Sequence, residues 1–175
     1  KPLPDLISGG SIPPLPARVD CFIRDDDAGW DDARLFALLD VTERCGVPID
    51  LAAIPLAVGE PLARELGARI AASPALIGVH QHGHAHHNHE REGRKCEFGV
   101  ARSAQAQCED LAHGQTLLRE HFGAALQPIF TPPWNRCAAG TPTLLAALGF
   151  QALSRDRGAK PRQAVLPEIA VDVDW

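Results

Sequence analysis

Six of the eight histidines lie within ten residues, in the segment HQHGHAHHNH at positions 80–89. Imidazole nitrogens are common ligands of Zn²⁺ and related divalent ions. Histidines four residues apart on a helical turn lie about 5–6 Å apart at Cβ, close enough to hold one ion. Both His82/His86 and His80/His84 have this spacing. The segment therefore predicts a metal site, with a solvated loop that binds metal only opportunistically as the alternative.

Carboxylates that such a site would need occur in RDDDAGW, residues 24–30. Three adjacent carboxylates repel one another, and a cation relieves the repulsion. Neighbouring side chains at a strand end point in opposite directions, so one Asp can face a metal and the next a substrate. Asp residues that only cap a helix are the alternative. Two imidazoles and one carboxylate leave metal positions open for water and substrate, which suits Zn²⁺ best and also Co²⁺, Ni²⁺ or Fe²⁺.

The elements that must position these residues alternate between strands and helices. Apolar runs predict strands at residues 19–24, 49–54, 76–80, 128–130 and 150–153. Helical spacing predicts helices from about residue 32 to 46 and at 61–72, 104–122 and 141–148. The predicted buried stripe of the third helix is Ala104, Cys108, Leu111, Gln115, Leu118 and Phe122. This alternation indicates an α/β fold with a parallel sheet or barrel.

Three polar segments follow successive predicted strands: residues 24–30, residues 80–89, and TPPWNR at 131–136. In α/β barrels, functional residues gather where strands end and the following loops begin. We therefore expect these three segments to meet in one cleft.

In this order, the segments resemble the motifs of the polysaccharide deacetylases of the NodB-homology type, carbohydrate esterase family 4. RDDDAG stands where the family has its Asp-Asp motif, HGHAH where it has H-x-x-x-H, and TPPWN where it has R-P-P-[YW]. The resemblance runs from about residue 19 to 175. It implies a distorted (β/α)7-type barrel, and we expect this sequence to lack the last strand or strands of that barrel. We expect a proline-rich extended lead-in at 1–17 and a single catalytic domain at 18–175.

The resemblance implies that Asp27, His82 and His86 hold the metal and that Asp26 is the base that deprotonates the metal-bound water. The stretch QHGHAHHNHE is similar to a subgroup pattern, Q-H-G-x-x-H-x-N-H, which favours His82 and His86 as ligands. The acidic pair could instead be Asp25 and Asp26, one position earlier. We favour the later pair because a small residue then follows it, as is usual in the family.

The third motif is expected to line the substrate groove. The residues expected to contact substrate are Pro133, Trp134, Asn135 and His89. Trp134 would offer an aromatic face to the apolar side of a sugar, and packing against the core is its alternative. The family's Arg before Pro-Pro, which orients the base, is replaced by Thr131. Arg136 and Arg24 are the candidates to substitute for it.

The expected function is a metal-dependent hydrolase that removes an N- or O-acetyl group from a carbohydrate or glycoconjugate, with metal-bound water as nucleophile. The segment VDVDW at 171–175 is similar to a later family motif, after which the family has a general-acid histidine that this sequence lacks. Three explanations are open: the sequence is incomplete, one of His80, His84, His87 and His89 protonates the leaving group, or catalysis is impaired. We favour the first, because a barrel that ended at residue 175 would leave the edge of a parallel strand open. A catalytically impaired metal- or carbohydrate-binding protein on the same scaffold is the alternative function.

Composition argues against other partners. The net charge of −5 offers no basic field for nucleic acid. No apolar run approaches the roughly 18 residues of a membrane span. Five cysteines without a C-x-x-C pair indicate a reducing compartment, so we expect a cytoplasmic protein. The expected partner is an acetylated sugar, and the sequence does not predict an oligomeric state.

Overall fold

Six parallel strands alternate with helices in the part of the 175-residue chain that the structure describes. The computed structural model describes residues 21–160 and 165–173. The strands are β1 (Ile23–Ala28), β2 (Ile49–Ala53), β3 (Ile77–His82), β4 (Leu126–Thr131), β5 (Ala152–Asp156) and β6 (Glu168–Val171). The helices are α1 (Asp32–Cys45), α2 (Glu60–Ala72), α3 (Ala104–Phe122) and α4 (Thr141–Ala147), with short 3-10 turns at Gly123–Ala125 and Pro133–Asn135. The predicted lead-in at 1–17 lies outside the described residues.

The sheet follows chain order from β1 to β6. The sheet curls, so that the guanidinium of Arg24 on β1 lies 2.8 Å from the hydroxyl of Ser154 on β5. β1 and β6 are the two edges of the described sheet, so the curled sheet forms a barrel that is not closed by hydrogen bonds. The predicted α/β architecture, a distorted barrel short of its full strand number, is confirmed.

Two apolar clusters hold the helices against the sheet. One joins β1, β2 and β3 to α1 and α2, with Leu39, Leu51 and Leu66 fully buried. The other includes Phe130 of β4 and Leu145 of α4, both fully buried. Burying an aliphatic or aromatic side chain contributes about 1.5–3 kcal/mol each, so these clusters stabilise the framework that carries the polar loops.

Local capping sets several helix ends. The side chain of Asp31 accepts a hydrogen bond from the backbone N–H of Arg34 at the start of α1. Ser103 accepts one from Ala106 at the start of α3. Gly46 ends α1 at a positive φ of 63°, which glycine adopts without a steric penalty. No helix in the described ranges is long and apolar enough to span a membrane.

The structure corrects several boundaries. β1 runs from Ile23 to Ala28, so the acidic triplet lies within the strand rather than after it. As an edge strand beside a cavity, β1 can carry three carboxylates without burying them all. In α3, Leu111, Leu118 and Phe122 are buried as predicted, but Ala104 is exposed and Cys108 and Gln115 are only partly buried. Gln107 and Gly114 are buried in their place because the contact face of α3 is rotated towards them.

Candidate metal centre

A cavity of about 940 Å³ opens at the carboxyl ends of the strands. Its lining includes Asp26, Asp27, His82, His86, Trp134 and Asn135, which come from all three predicted segments. The volume lies within the range of about 300–1,000 Å³ that is usual for ligand pockets. Pro133 and His89, both expected to contact substrate, are not among the residues that line it.

Asp27, His82 and His86 converge in the lining of this cavity. The Oδ1 atom of Asp27 lies 3.2 Å from Nε2 of His82 and 3.2 Å from Nε2 of His86. Among the described residues, these three form the group whose ligand atoms all lie within 4.8 Å of one another. Asp26, which would be the ligand in the earlier of the two acidic registers, does not belong to that group, so the geometry favours the later register.

The orientation of His82 is set by a backbone carbonyl. Its Nδ1 lies 3.1 Å from the carbonyl oxygen of Thr131, which can only accept, so Nδ1 carries the proton. In the neutral imidazole, Nε2 then has a lone pair, and this lone pair faces the Asp27 carboxylate. Two electron-rich groups at 3.2 Å repel unless a cation or a proton lies between them.

Two buried polar atoms of this group have no protein partner. Oδ1 of Asp27 and Nδ1 of His86 are buried without a hydrogen-bond partner. Buried polar atoms usually have partners, and a bound ion can serve as the partner where no protein group does. The two imidazoles and the carboxylate of this group therefore fit a divalent ion.

The electrostatics favour the unprotonated ligands that a metal requires. Burial opposes ionisation of Asp27, but its contacts with His82 and His86 outweigh burial and lower the pKa of the carboxyl. Burial, together with the charge of His82, lowers the pKa of His86 below its ordinary 6.5. Both shifts are in the direction of the unprotonated forms that bind a metal ion.

Positive φ angles mark the same site. The four non-glycine residues with positive φ in the described ranges are Asp27, His86, Trp134 and Asn135, at 66°, 54°, 55° and 58°. All four line the cavity. Such conformations cost about 1–3 kcal/mol each and cluster at functional sites, where the surrounding structure holds them in place. At Asp27 the strain coincides with a shift of the β1–β2 register between Asp25 and Ala28.

The histidine pair does not lie on a helical turn, so that expectation is wrong. β3 continues to His82, two residues beyond its predicted end, and the chain then turns at Gly83, which has a φ of 58°. Residues 83–90 form no regular element. A Cβ at Gly83 would collide with Glu97 and Pro133, so only glycine fits this turn. His86 therefore reaches the site through an irregular loop rather than through helical periodicity.

Asp26 is held by an arginine from its own strand. Nε and Nη2 of Arg24 donate to the two carboxylate oxygens of Asp26 at 2.7 and 2.9 Å. Arg24 also donates to the side chains of Ser154, at 2.8 Å, and of Asn135, at 3.0 Å. Its side chain is 5% exposed. A bidentate, charge-assisted pair of this kind fixes both the position and the plane of the carboxylate.

Of the two arginines considered as substitutes, Arg24 therefore contacts Asp26, and Arg136 instead donates to the backbone oxygen of Lys95. Thr131, where the family has arginine, lies fully buried behind the site, and its hydroxyl is 2.8 Å from Nε2 of His80. Burial holds the pKa of His80 at about 3, so this histidine is neutral.

Aromatic rings flank His86 on two sides. The ring centroids of Trp30 and Trp134 each lie 4.4 Å from that of His86, in edge-on geometry. Trp30 is 57% exposed, and Nζ of Lys95 lies 5.8 Å from the centroid of the Trp134 ring. Trp134 is partly buried at the cavity wall rather than packed within the core. Sequence reasoning missed Trp30, although its position directly after the acidic motif was a usable signal.

The remaining loop histidines face the opposite way. We call His84, His87 and His89 the outer histidines, and His82 and His86 the inner histidines. Nε2 of His84 lies 3.0 Å from Nδ1 of His113 on α3, and the His89 ring lies 5.1 Å from that of His87. The structure thus does not bring His89 together with the residues at the cavity.

Glu97 is a further residue that the motifs did not reveal. It is fully buried beneath the histidine loop, and its carboxylate accepts backbone hydrogen bonds from His84, Ala85 and His87. It lies in the long segment between β3 and α3, which has no regular pattern. Nothing in the local sequence distinguishes it from the exposed acidic residues nearby.

No protein-family model matches the sequence, and no curated protein matches it. Solved structures do share its fold. IcaB from Ammonifex degensii has a TM-score of 0.68 at 21% identity, over 86% of this chain and 67% of that one. A family 4 acetyl xylan esterase from Clostridium thermocellum, in complex with a cobalt ion, has a TM-score of 0.55 at 13% identity, over 77% and 57%.

The Xyl-CE4 domain of a multidomain xylanase from the hindgut metagenome of Trinervitermes trinervoides also has a TM-score of 0.55, at 16% identity, over 70% of this chain and 52% of that one. This chain thus spans about half to two thirds of the length of these three solved chains. The resemblance to carbohydrate esterase family 4 that the motifs predict is confirmed at the level of the fold.

Proposed function

We propose that this protein is a metal-dependent hydrolase that removes acetyl groups from a carbohydrate or glycoconjugate. The observation that carries the proposal is the convergence of Asp27, His82 and His86 beside an Asp26 that Arg24 holds, all in one cavity. The shared fold supports it, since one structural relative is an acetyl xylan esterase that was solved with cobalt.

Asp27, His82 and His86 would hold the ion, and Zn²⁺ suits this ligand set best. Such an ion would lower the pKa of water from 15.7 towards about 7 and polarise an acyl oxygen. The hydrogen bond from His82 to Thr131 keeps the Nε2 lone pair directed at the ion's position. This arrangement follows the general rule that a ligating histidine donates its other N–H to a carbonyl or carboxylate.

Asp26 is the proposed base. It takes the proton from the water that attacks the acyl carbon, and Arg24 keeps its carboxylate oriented for this step. None of the four histidines considered as general acid, His80, His84, His87 and His89, lines the cavity. We therefore propose that Asp26 returns the same proton to the departing amine or alcohol.

Substrate binding is assigned to the aromatic walls. The indole rings of Trp30 and Trp134 flank His86 and suit the apolar face of a sugar ring. Asn135 lines the same cavity, but its side-chain oxygen already accepts from Arg24 and from the backbone of Asp156. We therefore assign Asn135 to holding Arg24 and leave direct sugar contact to the two tryptophans.

Acetate release tests the proposal. The purified protein is stripped with a chelator, reloaded with one equivalent of Zn²⁺, and incubated with N-acetylglucosamine oligomers and with acetylated xylan. We expect acetate release that disappears on stripping and returns on reloading. Stoichiometric zinc binding without acetate release from either substrate would contradict the hydrolase and support the catalytically impaired alternative.

A further inference from the structure

We propose that Glu97 is a positioning residue for the metal centre, which fixes the loop that presents His86. This inference rests on the proposed function, because it assigns Glu97 a part in holding the same ion. Glu97 does not belong to the group of ligand atoms that surrounds Asp27. It acts through the backbone of residues 84–87.

The contacts of Glu97 are directed at one stretch of backbone. Its Oε2 atom accepts from the N–H of His84 at 3.1 Å, and its Oε1 atom accepts from the N–H of Ala85 at 2.8 Å and of His87 at 3.2 Å. The residue is 0% exposed. Within the described ranges, no lysine or arginine forms a salt bridge with it. The backbone N–H groups of the loop are thus the charge-compensating partners of a buried carboxylate.

This pattern determines the conformation at His86. Ala85 and His87 donate to the same oxygen, so the backbone is fixed immediately before and after His86. Successive N–H groups that point at one anion curl the chain into a concave turn. His86 lies in that turn at a φ of 54°, and its Nε2 faces Asp27 at 3.2 Å. Positive φ is unfavourable for a non-glycine residue, so the hydrogen bonds to the Glu97 carboxylate are what hold His86 in this conformation.

Glu97 is itself anchored from the other side of the fold. The next residue, Phe98, is fully buried in the cluster with Phe130 and Leu145. The carbonyl of Phe98 accepts from the backbone N–H of Ala138 at 2.7 Å. Gly83 is required because a side chain there would collide with the Glu97 carboxylate. The core around α4 therefore sets the position of the carboxylate, and the carboxylate sets the loop.

Zinc affinity of Glu97→Gln tests the inference. The amide keeps the shape of the side chain but presents an NH2 group to backbone donors, so at least one hydrogen bond is lost. We expect zinc binding about 10- to 100-fold weaker than in the wild type, as for other residues that orient metal ligands. Competition with a chromophoric chelator measures this. At saturating zinc, acetate release should recover to within about threefold of the wild type, which a general loss of structure would not allow.

Two further variants control the result. Glu120→Gln removes an exposed carboxylate on α3 and should leave zinc affinity unchanged. Glu97→Asp keeps the charge and should fall between the wild type and Glu97→Gln. Wild-type zinc affinity in Glu97→Gln, or in Glu97→Asp if the amide variant does not fold, would overturn the inference. A wild-type protein that binds no zinc would instead contradict the proposed function.

Discussion

The inner and outer histidines of residues 80–89 have the same side chain and opposite surroundings. His82 and His86 face the Asp27 carboxylate across a cavity at the carboxyl ends of the strands. His84 faces α3, where it contacts His113 and lies 3.6 Å from a carboxylate oxygen of Asp110. The clustering of histidines in the sequence therefore does not indicate which of them lie at the same metal site.

Backbone geometry makes the difference. His80 and His82 lie on one face of β3, while Gln81, between them, points towards α3 and donates to the carbonyl of Leu111. After Gly83 the strand alternation ends, and hydrogen bonds to Glu97 set the direction of each following residue. A histidine faces the cavity only where strand alternation or this turn directs it there.

The largest expected effect is the loss of zinc binding, which should distinguish the inner histidines from the outer histidines. His82→Ala, His86→Ala and Asp27→Ala should each abolish both tight zinc binding and acetate release, because three protein ligands are the usual minimum for a catalytic zinc. Isothermal titration with Zn²⁺ and an acetate assay measure the two properties. His87→Ala, on the outer side, is the matched control and should keep both. Gradual loss of several ions as any histidine is removed would instead indicate an opportunistic histidine cluster.

The next effect is a loss of turnover without a loss of zinc binding, which we expect when the proposed base is replaced. Asp26→Asn should lower kcat by about 10²- to 10⁴-fold, the usual contribution of a general base. Zinc affinity should stay unchanged, since Asp26 is paired with Arg24 and is not part of the ligand group. Single-turnover acetate release at saturating zinc provides the measurement. Wild-type turnover in this variant would exclude Asp26 as the base.

The smallest expected effect is a change in stability at the contact between the outer histidine His84 and His113 on α3. His113→Ala removes the exposed α3 partner of the buried His84. Because water can reach the position of His113, the free energy of unfolding should fall by only about 1 kcal/mol, the net contribution of a typical hydrogen bond. Chemical denaturation of the metal-free protein measures this. Zinc affinity and kcat should remain within about threefold of wild type. His121→Ala, near the end of the same helix, provides the comparison, and a large loss of zinc affinity in His113→Ala would show that the two sides are coupled.

Some features followed from the sequence because they depend on local chemistry. Apolar periodicity and capping residues predicted the alternation of strands and helices, including α3 from Ala104 to Phe122. The order of the three polar segments placed Asp27, His82 and Trp134 near one another, because loops after parallel strands share one edge. β6 was missed, since its four residues carry no pattern that distinguishes them from a loop.

Only the tertiary structure decided which partners each residue has. Arg24 rather than Arg136 holds Asp26, since the curled sheet brings β1 within reach of Ser154 and Asn135, which are 130 and 111 residues away in the chain. The placement of His89 away from the cavity and of Glu97 beneath the loop depends on the same kind of long-range packing. Local sequence fixes the type and order of the elements by short-range sterics and periodicity, whereas side-chain partners depend on contacts between segments that are distant in sequence.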